Sequence, residues 1–231
     1  TVPVRVALAA LLLLLLAGLA FWRPYLSAPR AADAYVHAHA VLGVAWLLLM
    51  VAQPLLIRAS MRVAHRLTGR IGAALGGAFV VSGVVVAHRS LIRMGPEQYA
   101  REGRLVYLPL VMTALFAAAL AMGLVWRSLP AIHSRFMAAT LLPLLDPVMA
   151  RLLYFYGPPL PFDVLYQVPA FSLVALSLTA MATSLPAGVP GRASFIVFSA
   201  AVLVALGGFF VVPSTGAWLQ FVAWLRAWPI Y

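Results

Sequence analysis

The chain contains neither cysteine nor lysine among its 231 residues. Without cysteine there can be no disulfide, no thiolate-ligated metal, no iron–sulfur cluster and no covalently attached c-type haem. Without lysine there is no amine for a Schiff base, which disfavours a retinal protein. The two absences leave histidine as the main candidate for metal or cofactor ligation.

Charge is also scarce. Only 9% of the residues are charged, against roughly 25% in an average soluble domain, whereas 65% are hydrophobic and the mean hydropathy is +1.02. A soluble protein of this composition could not cover its surface with polar groups, so its natural solvent is lipid. We therefore predict an integral membrane protein formed by a single transmembrane domain, residues 1–231, with membrane lipid as its partner.

The net charge of +11 is carried by sixteen arginines. Such a charge can indicate nucleic-acid binding, but these arginines stand mostly in short gaps between apolar runs. That placement is typical of membrane topology, so we expect no nucleic-acid partner. The lack of lysine and the abundance of alanine, leucine and valine suggest a GC-rich bacterial genome, and hence the bacterial inner membrane.

The apolar runs predict an all-α fold, a polytopic transmembrane helical bundle of about seven spans. These spans are 4–22, 35–57, 70–92, 105–126, 132–156, 165–185 and 194–212. The first has the basic start and leucine-rich middle of a signal peptide, and we interpret it as a retained span. The start of the sixth is the least defined, because Pro161 and Pro169 flank or enter it.

Arginine counts predict the orientation. The loop between the second and third spans carries Arg58, Arg62, Arg66 and Arg70 without any acidic residue. Such loops favour the cytoplasm. The N-terminus is then cytoplasmic, and the C-terminus lies outside.

Two further patterns concern packing. Gly72 and Gly76 form a small-xxx-small pair, which indicates close approach of another helix. Beyond Pro213, aromatic and apolar residues recur at helical spacing and predict an interfacial helix. They are Trp218, Phe221, Trp224, Leu225 and Trp228, with Arg226 off the stripe. The alternative is an aromatic end to the last span.

Histidines near one end of the second and third spans form the first candidate site. His39 shares a helix face with Trp46 and Gln53, so we expect it to face the bundle interior, whereas His37 points away and suits a solvated interface. His88 falls at a similar depth on the antiparallel neighbouring span. Two histidines at one level on adjacent helices are what b-type haem requires.

A second pair is predicted at the opposite face. His65 precedes the third span and His133 begins the fifth. Two histidine pairs at opposite faces would suit electron transfer across a membrane. The alternative for this pair is an interfacial or helix-capping role.

Two charges lie deep in the fifth span. Asp146 stands between Pro143 and Pro147, which kink the helix and free backbone carbonyls. Arg151 shares a face with His133, and it could pair with Asp146, a haem propionate or an anionic substrate. A purely structural pair that fixes the kink is the alternative.

The stretch YVHAHAVLGVAWLLLMVAQPLLIRASMRVAHRLTGRIG, together with PAIHSRFMAATLLPLLDPVMARL, resembles a family of uncharacterised bacterial multi-pass membrane proteins. Its motifs are an HxH-type helix start, a Trp and Gln helix, an HRxLG loop, and a later His and Arg. The resemblance implies importance for His37, His39, Trp46, Gln53, His65, Arg66, Gly69, His133, Arg135 and Arg151. Thr68 replaces the motif leucine, and His88 has no counterpart. A more distant likeness to di-haem cytochromes b is architectural only.

These patterns favour a membrane protein that binds b-type haem or another metal through paired histidines, for electron transfer or redox-complex assembly. A non-haem metal site is a second reading, although no HExxH or Glu-x-x-His motif supports catalysis. A cofactor-free transporter, marked by Asp146 and Arg151, and an accessory subunit with partner membrane subunits are the other readings. The sequence assigns no catalytic residue.

Overall fold

The computed structural model describes residues 2–160 and 166–228, with side chains from residue 4 onward. Within these ranges the protein is helical and contains no strand, which confirms the predicted all-α class. The helices are α1 (Val2–Ala20), α2 (Ala34–Arg58), α3 (Arg62–Arg93), α4 (Pro96–Glu102), α5 (Tyr107–Val125), α6 (Pro130–Ala139), α7 (Leu142–Tyr156), α8 (Val168–Thr183), α9 (Arg192–Gly208) and α10 (Gly216–Ala227).

Four helical segments of the described chain are long and apolar enough to cross a membrane: Ala34–Arg58, Arg62–Arg93, Pro96–Val125 and Pro130–Tyr156. The apolar helices Val4–Ala20, Val168–Thr183 and Arg192–Gly208 are shorter. Each of the seven predicted runs therefore coincides with helix, although Leu165, where the sixth was expected to begin, lies outside the described residues. The expected loop after α3 contains the short helix α4.

Helices that follow one another in the chain mostly pack side by side. α1 packs on α2, α2 on α3, α3 on α5 and α5 on α6, while α7 returns to contact α1 and also α8. Large apolar side chains lie exposed around the outside, with Val204 75% and Leu176 68% exposed. Exposed apolar surface on this scale fits contact with lipid rather than water.

The small residues of α3 allow the close approach that the sequence predicted. A β-carbon on Gly76 would lie 2.7 Å from Leu120 Cδ2 and 2.9 Å from the Trp46 ring, and one on Gly72 would clash with Leu49. Glycine is therefore needed where α2 and α5 press against α3.

The run 132–156 was expected to form one kinked span, and the structure places a break in the helix within it. It divides into α6 and α7, with Thr140 and Leu141 between them in tight turns. The cause is Pro143, which has no N–H for the carbonyl of Ala139 and whose ring crowds that carbonyl. Thr140 is fully buried at the break, and its hydroxyl accepts a hydrogen bond from Trp46 Nε1 at 3.2 Å.

The C-terminal tail forms a helix of its own, α10, as predicted. It begins after the turn Val212–Ser214, and the Thr215 side chain caps it by accepting from the Trp218 N–H. The rings of Trp218, Phe221, Trp224 and Trp228 contact one another in succession along it, each tilted against the next. Its position at a membrane interface stays a prediction.

Candidate functional site

The structure brings together His65 and His133, the pair predicted at the end of the bundle where α3 and α6 begin. Their ring centroids lie 6.4 Å apart, and the ring planes are nearly perpendicular at 89°. Both side chains are half-buried. His65 reaches the site from the first turn of α3, and His133 from the first turn of α6, which Pro130 starts.

Each ring has one nitrogen near a backbone group. His133 Nδ1 lies 2.8 Å from the carbonyl oxygen of Gly123 on α5. Because a carbonyl can only accept, Nδ1 carries the proton and Nε2 keeps its lone pair. The backbone of Gln53 is a hydrogen-bond neighbour of the His65 ring, whereas His65 Nδ1 is buried without a partner.

Gln53 adds an amide to the same cluster. Its Nε2 donates to the Thr68 hydroxyl at 2.7 Å, and that hydroxyl donates to the Ala64 carbonyl. Its Oε1 is buried and unpartnered. Of the five buried side-chain polar atoms without a partner in the described chain, two therefore lie in this cluster. Unpartnered buried polar atoms are costly, so they mark a place where a ligand would be stabilised.

His39 faces the interior, as predicted, but it is engaged by α3. Its ring stacks on Phe79 with centroids 4.7 Å apart, and Nδ1 lies 2.9 Å from the Ser82 hydroxyl. Trp46, on the same face of α2, is fully buried.

His88 does not face His39. It lies nine residues after Phe79, about two and a half turns, and therefore on the opposite side of α3. The ring is fully buried, and Nε2 donates to the Leu225 carbonyl of α10 at 3.0 Å. Nδ1 is unpartnered. The structure thus uses His88 to dock the C-terminal helix and does not assemble the predicted outer pair.

His37 is half-buried rather than solvated. Its Nδ1 lies 2.7 Å from the Tyr25 hydroxyl, across the segment that joins α1 to α2. This contact ties that segment to the first turn of α2.

Asp146 and Arg151 lie on different faces of α7 and do not pair. Arg151 donates to the carbonyl of Pro147 at 3.0 Å and lies over the Phe21 ring, just after α1. Asp146 is only 6% exposed, and its Oδ1 has no partner. Within the described chain, Asp146 has no direct ion-pair partner beside the helix break, and Arg151 acts on it only through the longer-range attraction of its charge.

One polar cluster was missed from the sequence. Asp33 Oδ2 accepts from Arg89 Nε at 3.1 Å and from Arg93 at 2.7 Å, and Oδ1 caps α2 by accepting from the Val36 N–H. This N–H, and the two guanidinium groups, hold the pKa of Asp33 below its usual value. An aspartate directly before an apolar helix is a capping signal that could have revealed it.

The described residues contain no group of three or more histidine or acidic side chains arranged for a metal ion. The protein therefore offers two imidazoles at the most prominent site, and further ligands would have to come from elsewhere. No protein-family model matches the chain, and neither a curated protein nor a solved structure shows significant similarity to it.

Proposed function

We propose that this membrane protein binds a redox-active metal between His65 and His133, as b-type haem or as a directly held ion. It would serve electron transfer or the assembly of a redox complex. The observation that carries the proposal is the pair of imidazoles, 6.4 Å apart, contributed by two separate helices.

Two imidazoles this close to each other, on separate helices, would both be ligands for a metal ion or haem iron bound at this end of the bundle. Iron or copper held by His65 and His133 would supply one-electron chemistry there.

The surroundings of the rings fit metal ligation as well. Metal-binding histidines usually donate their second N–H to a carbonyl or carboxylate, which fixes the tautomer. The Gly123 carbonyl does this for His133 and leaves Nε2 as the free donor atom. His65 Nδ1 is likewise free, because no donor or acceptor contacts it.

A spectrum and elemental analysis of the purified protein test the proposal. Haem would show a Soret band and, after dithionite reduction, an α-band, whereas a directly held ion would appear only in the elemental analysis. We expect His133→Ala and His65→Ala to lose the metal and His39→Ala to retain it. A colourless preparation without iron or copper, or equal loss in all three variants, would overturn the proposal.

The finer localisation belongs to the same proposal. We place the protein in the bacterial inner membrane with the His65 site near the cytoplasmic face. The support is the unpaired arginines at that end, Arg58, Arg62, Arg66 and Arg70. A reporter protein that is active only in the cytoplasm tests this orientation. Fused after Ser60, it should be active if the His65 end is cytoplasmic and inactive if that end lies outside.

Asp146 favours a second candidate function, cofactor-free cation or proton transport. Carboxylates in membrane interiors are rare and mark transport paths, and discontinuous helices commonly form such sites. Asp146 is buried, unpartnered and just beyond the α6–α7 break. A small apolar crevice of about 10 Å³ borders the break at Ala139, Leu142 and Pro143, and Asp146 does not line it.

Reconstitution into vesicles tests this second function. Transport predicts a proton or sodium flux that Asp146→Asn abolishes, while Arg151→Gln, which changes a charge on another face of α7, leaves flux measurable. If vesicles that contain the metal-loaded protein show no flux, the metal-binding function alone remains.

A further inference from the structure

The first turns of α3 carry a basic surface that the metal proposal does not use. Arg62, Arg66 and Arg70 stand at positions i, i+4 and i+8, and all three are exposed. On a helix this spacing sets them along one face, each turned about 40° from the last, over about 12 Å. We call them the arginine stripe.

The arginine stripe is electrically uncompensated. In the described chain no hydrogen bond or ion pair engages the side chain of any of the three, and the ion pairs that do form belong to Asp33 at the other end of α3. The sequence has no acidic residue between Asp33 and Glu97. Arg58, exposed at the end of α2, adds a fourth charge beyond the tight turn that joins the helices.

An apolar stripe runs beside these charges. Val63, Leu67 and Ile71 follow the arginines by one residue each, and they are 72%, 60% and 62% exposed. The remaining face of the same turns, with His65, Thr68 and Gly72, packs inward. This part of α3 therefore has an interior face, a basic face and an exposed apolar face.

A phospholipid with a net negative charge has the chemistry that both exposed faces require. Guanidinium groups bind phosphate oxygens by charge-assisted hydrogen bonds, and arginine clusters next to membrane spans attract anionic headgroups. A soluble acidic partner would leave the apolar stripe exposed to water, whereas the acyl chains of a lipid would cover it. α3 is 32 residues long, about 48 Å, so its first turns reach beyond a hydrocarbon core of about 30 Å.

We propose that the arginine stripe binds the headgroup phosphate of anionic phospholipids, with the acyl chains lying along Val63, Leu67 and Ile71. Each exposed arginine contributes to the retention of lipid. The site is separate from the histidine pair, and metal-free protein should bind lipid equally well.

The test compares two variants that lose the same charge. The full chain, treated with chelator, is placed in phosphatidylcholine nanodiscs with or without phosphatidylglycerol, and retained lipid is measured by native mass spectrometry. We expect wild type to retain phosphatidylglycerol preferentially. Arg66→Gln with Arg70→Gln should weaken retention about 25-fold, about fivefold per arginine. Arg30→Gln with Arg101→Gln, exposed and unpaired elsewhere, should change it less than twofold, within about a third of a pKd unit.

Two controls decide the outcome. Arg66→Lys with Arg70→Lys keeps the charge and should retain most of the binding, even if the glutamine variant folds poorly. Equal loss in the two glutamine doubles would overturn the proposal, because a general charge effect would explain it. Displacement of lipid by inorganic phosphate at equal concentration would also overturn it, because the site would then recognise a free anion.

Discussion

The two ends of the bundle treat their polar side chains differently. We call them the Asp33 end, where α2 begins and α3 ends, and the His65 end, where α2 ends and α3 begins. At the Asp33 end, Asp33 binds two arginines, and His37 and His39 have hydroxyl partners, whereas His88 Nδ1 is the exception, buried without a partner. At the His65 end, His65 Nδ1 and Gln53 Oε1 are buried without partners.

This difference separates polar groups that hold the structure together from polar groups that are available to a ligand. Paired groups hold helices in register, and changing them should alter stability. Unpaired groups cost stability in the free protein, so a ligand that satisfies them gains affinity. On this contrast, the proposed binding site belongs to the His65 end, and the paired groups of the Asp33 end fix the helices.

The largest expected effect is on metal affinity. Changing His133 to alanine should lower the affinity for Cu⁺ by about 100-fold or more, because one of two protein ligands is lost. The same change at His39 should leave the affinity unaltered. Competition with a chromophoric chelator measures both. Similar losses for the two variants would remove the functional distinction between the ends.

The next largest effect is expected on stability, when alanine replaces a glycine at each end. Gly83, near the Asp33 end, has no room for a β-carbon, which would lie 2.8 Å from the Thr113 hydroxyl. Gly83→Ala should therefore destabilise the protein by about 1–3 kcal/mol. Gly69, at the His65 end, has nothing within 4 Å of the added carbon. Gly69→Ala should stabilise α3 by about 0.5–1 kcal/mol. Chemical unfolding in mixed micelles measures both, and a larger loss at Gly69 would contradict the comparison.

Removing one arginine at each end gives a smaller test of the same idea. Arg89 binds Asp33 and lies over the Tyr35 ring, whereas Arg62 has neither kind of contact in the described chain. Arg89→Gln should lower the apparent Tm by a few degrees, and Arg62→Gln should leave it almost unchanged. Thermal unfolding in phosphatidylcholine micelles measures both changes. Because no anionic lipid is present, binding of such lipid to the arginine stripe does not contribute to the Tm.

The smallest expected effect is the change of Tm with pH on the acid side. The folded pKa of Asp33 lies below its ordinary value of 3.8, mainly because the Val36 N–H binds the carboxylate. Its stabilisation is therefore complete above about pH 3.8 and is lost as the pH falls through the lower folded pKa. Asp33→Asn should reduce this acid-side loss of Tm. An identical acid profile in the variant would assign the loss to other groups.

Much of the fold could be predicted from the sequence, because each long apolar run needs a helix to satisfy its backbone in lipid. Inward orientation of His39 and Trp46 followed from their heptad spacing, and the proximity of His65 and His133 followed from their shared end. Spacing within one helix cannot say which neighbour a side chain meets. For that reason the docking of His88 on α10 and the convergence of Arg89 and Arg93 on Asp33 required the three-dimensional packing.

The break between α6 and α7 also affects which insertions and deletions the chain can tolerate. In a continuous helix, inserting one residue turns everything beyond it by about 100°. Here the turn at Thr140 and Leu141 interrupts the helical phase, and the Trp46–Thr140 hydrogen bond anchors it to α2. A length change within that turn could be absorbed there, so the segment bearing His133 and the segment bearing Asp146 can vary as separate modules.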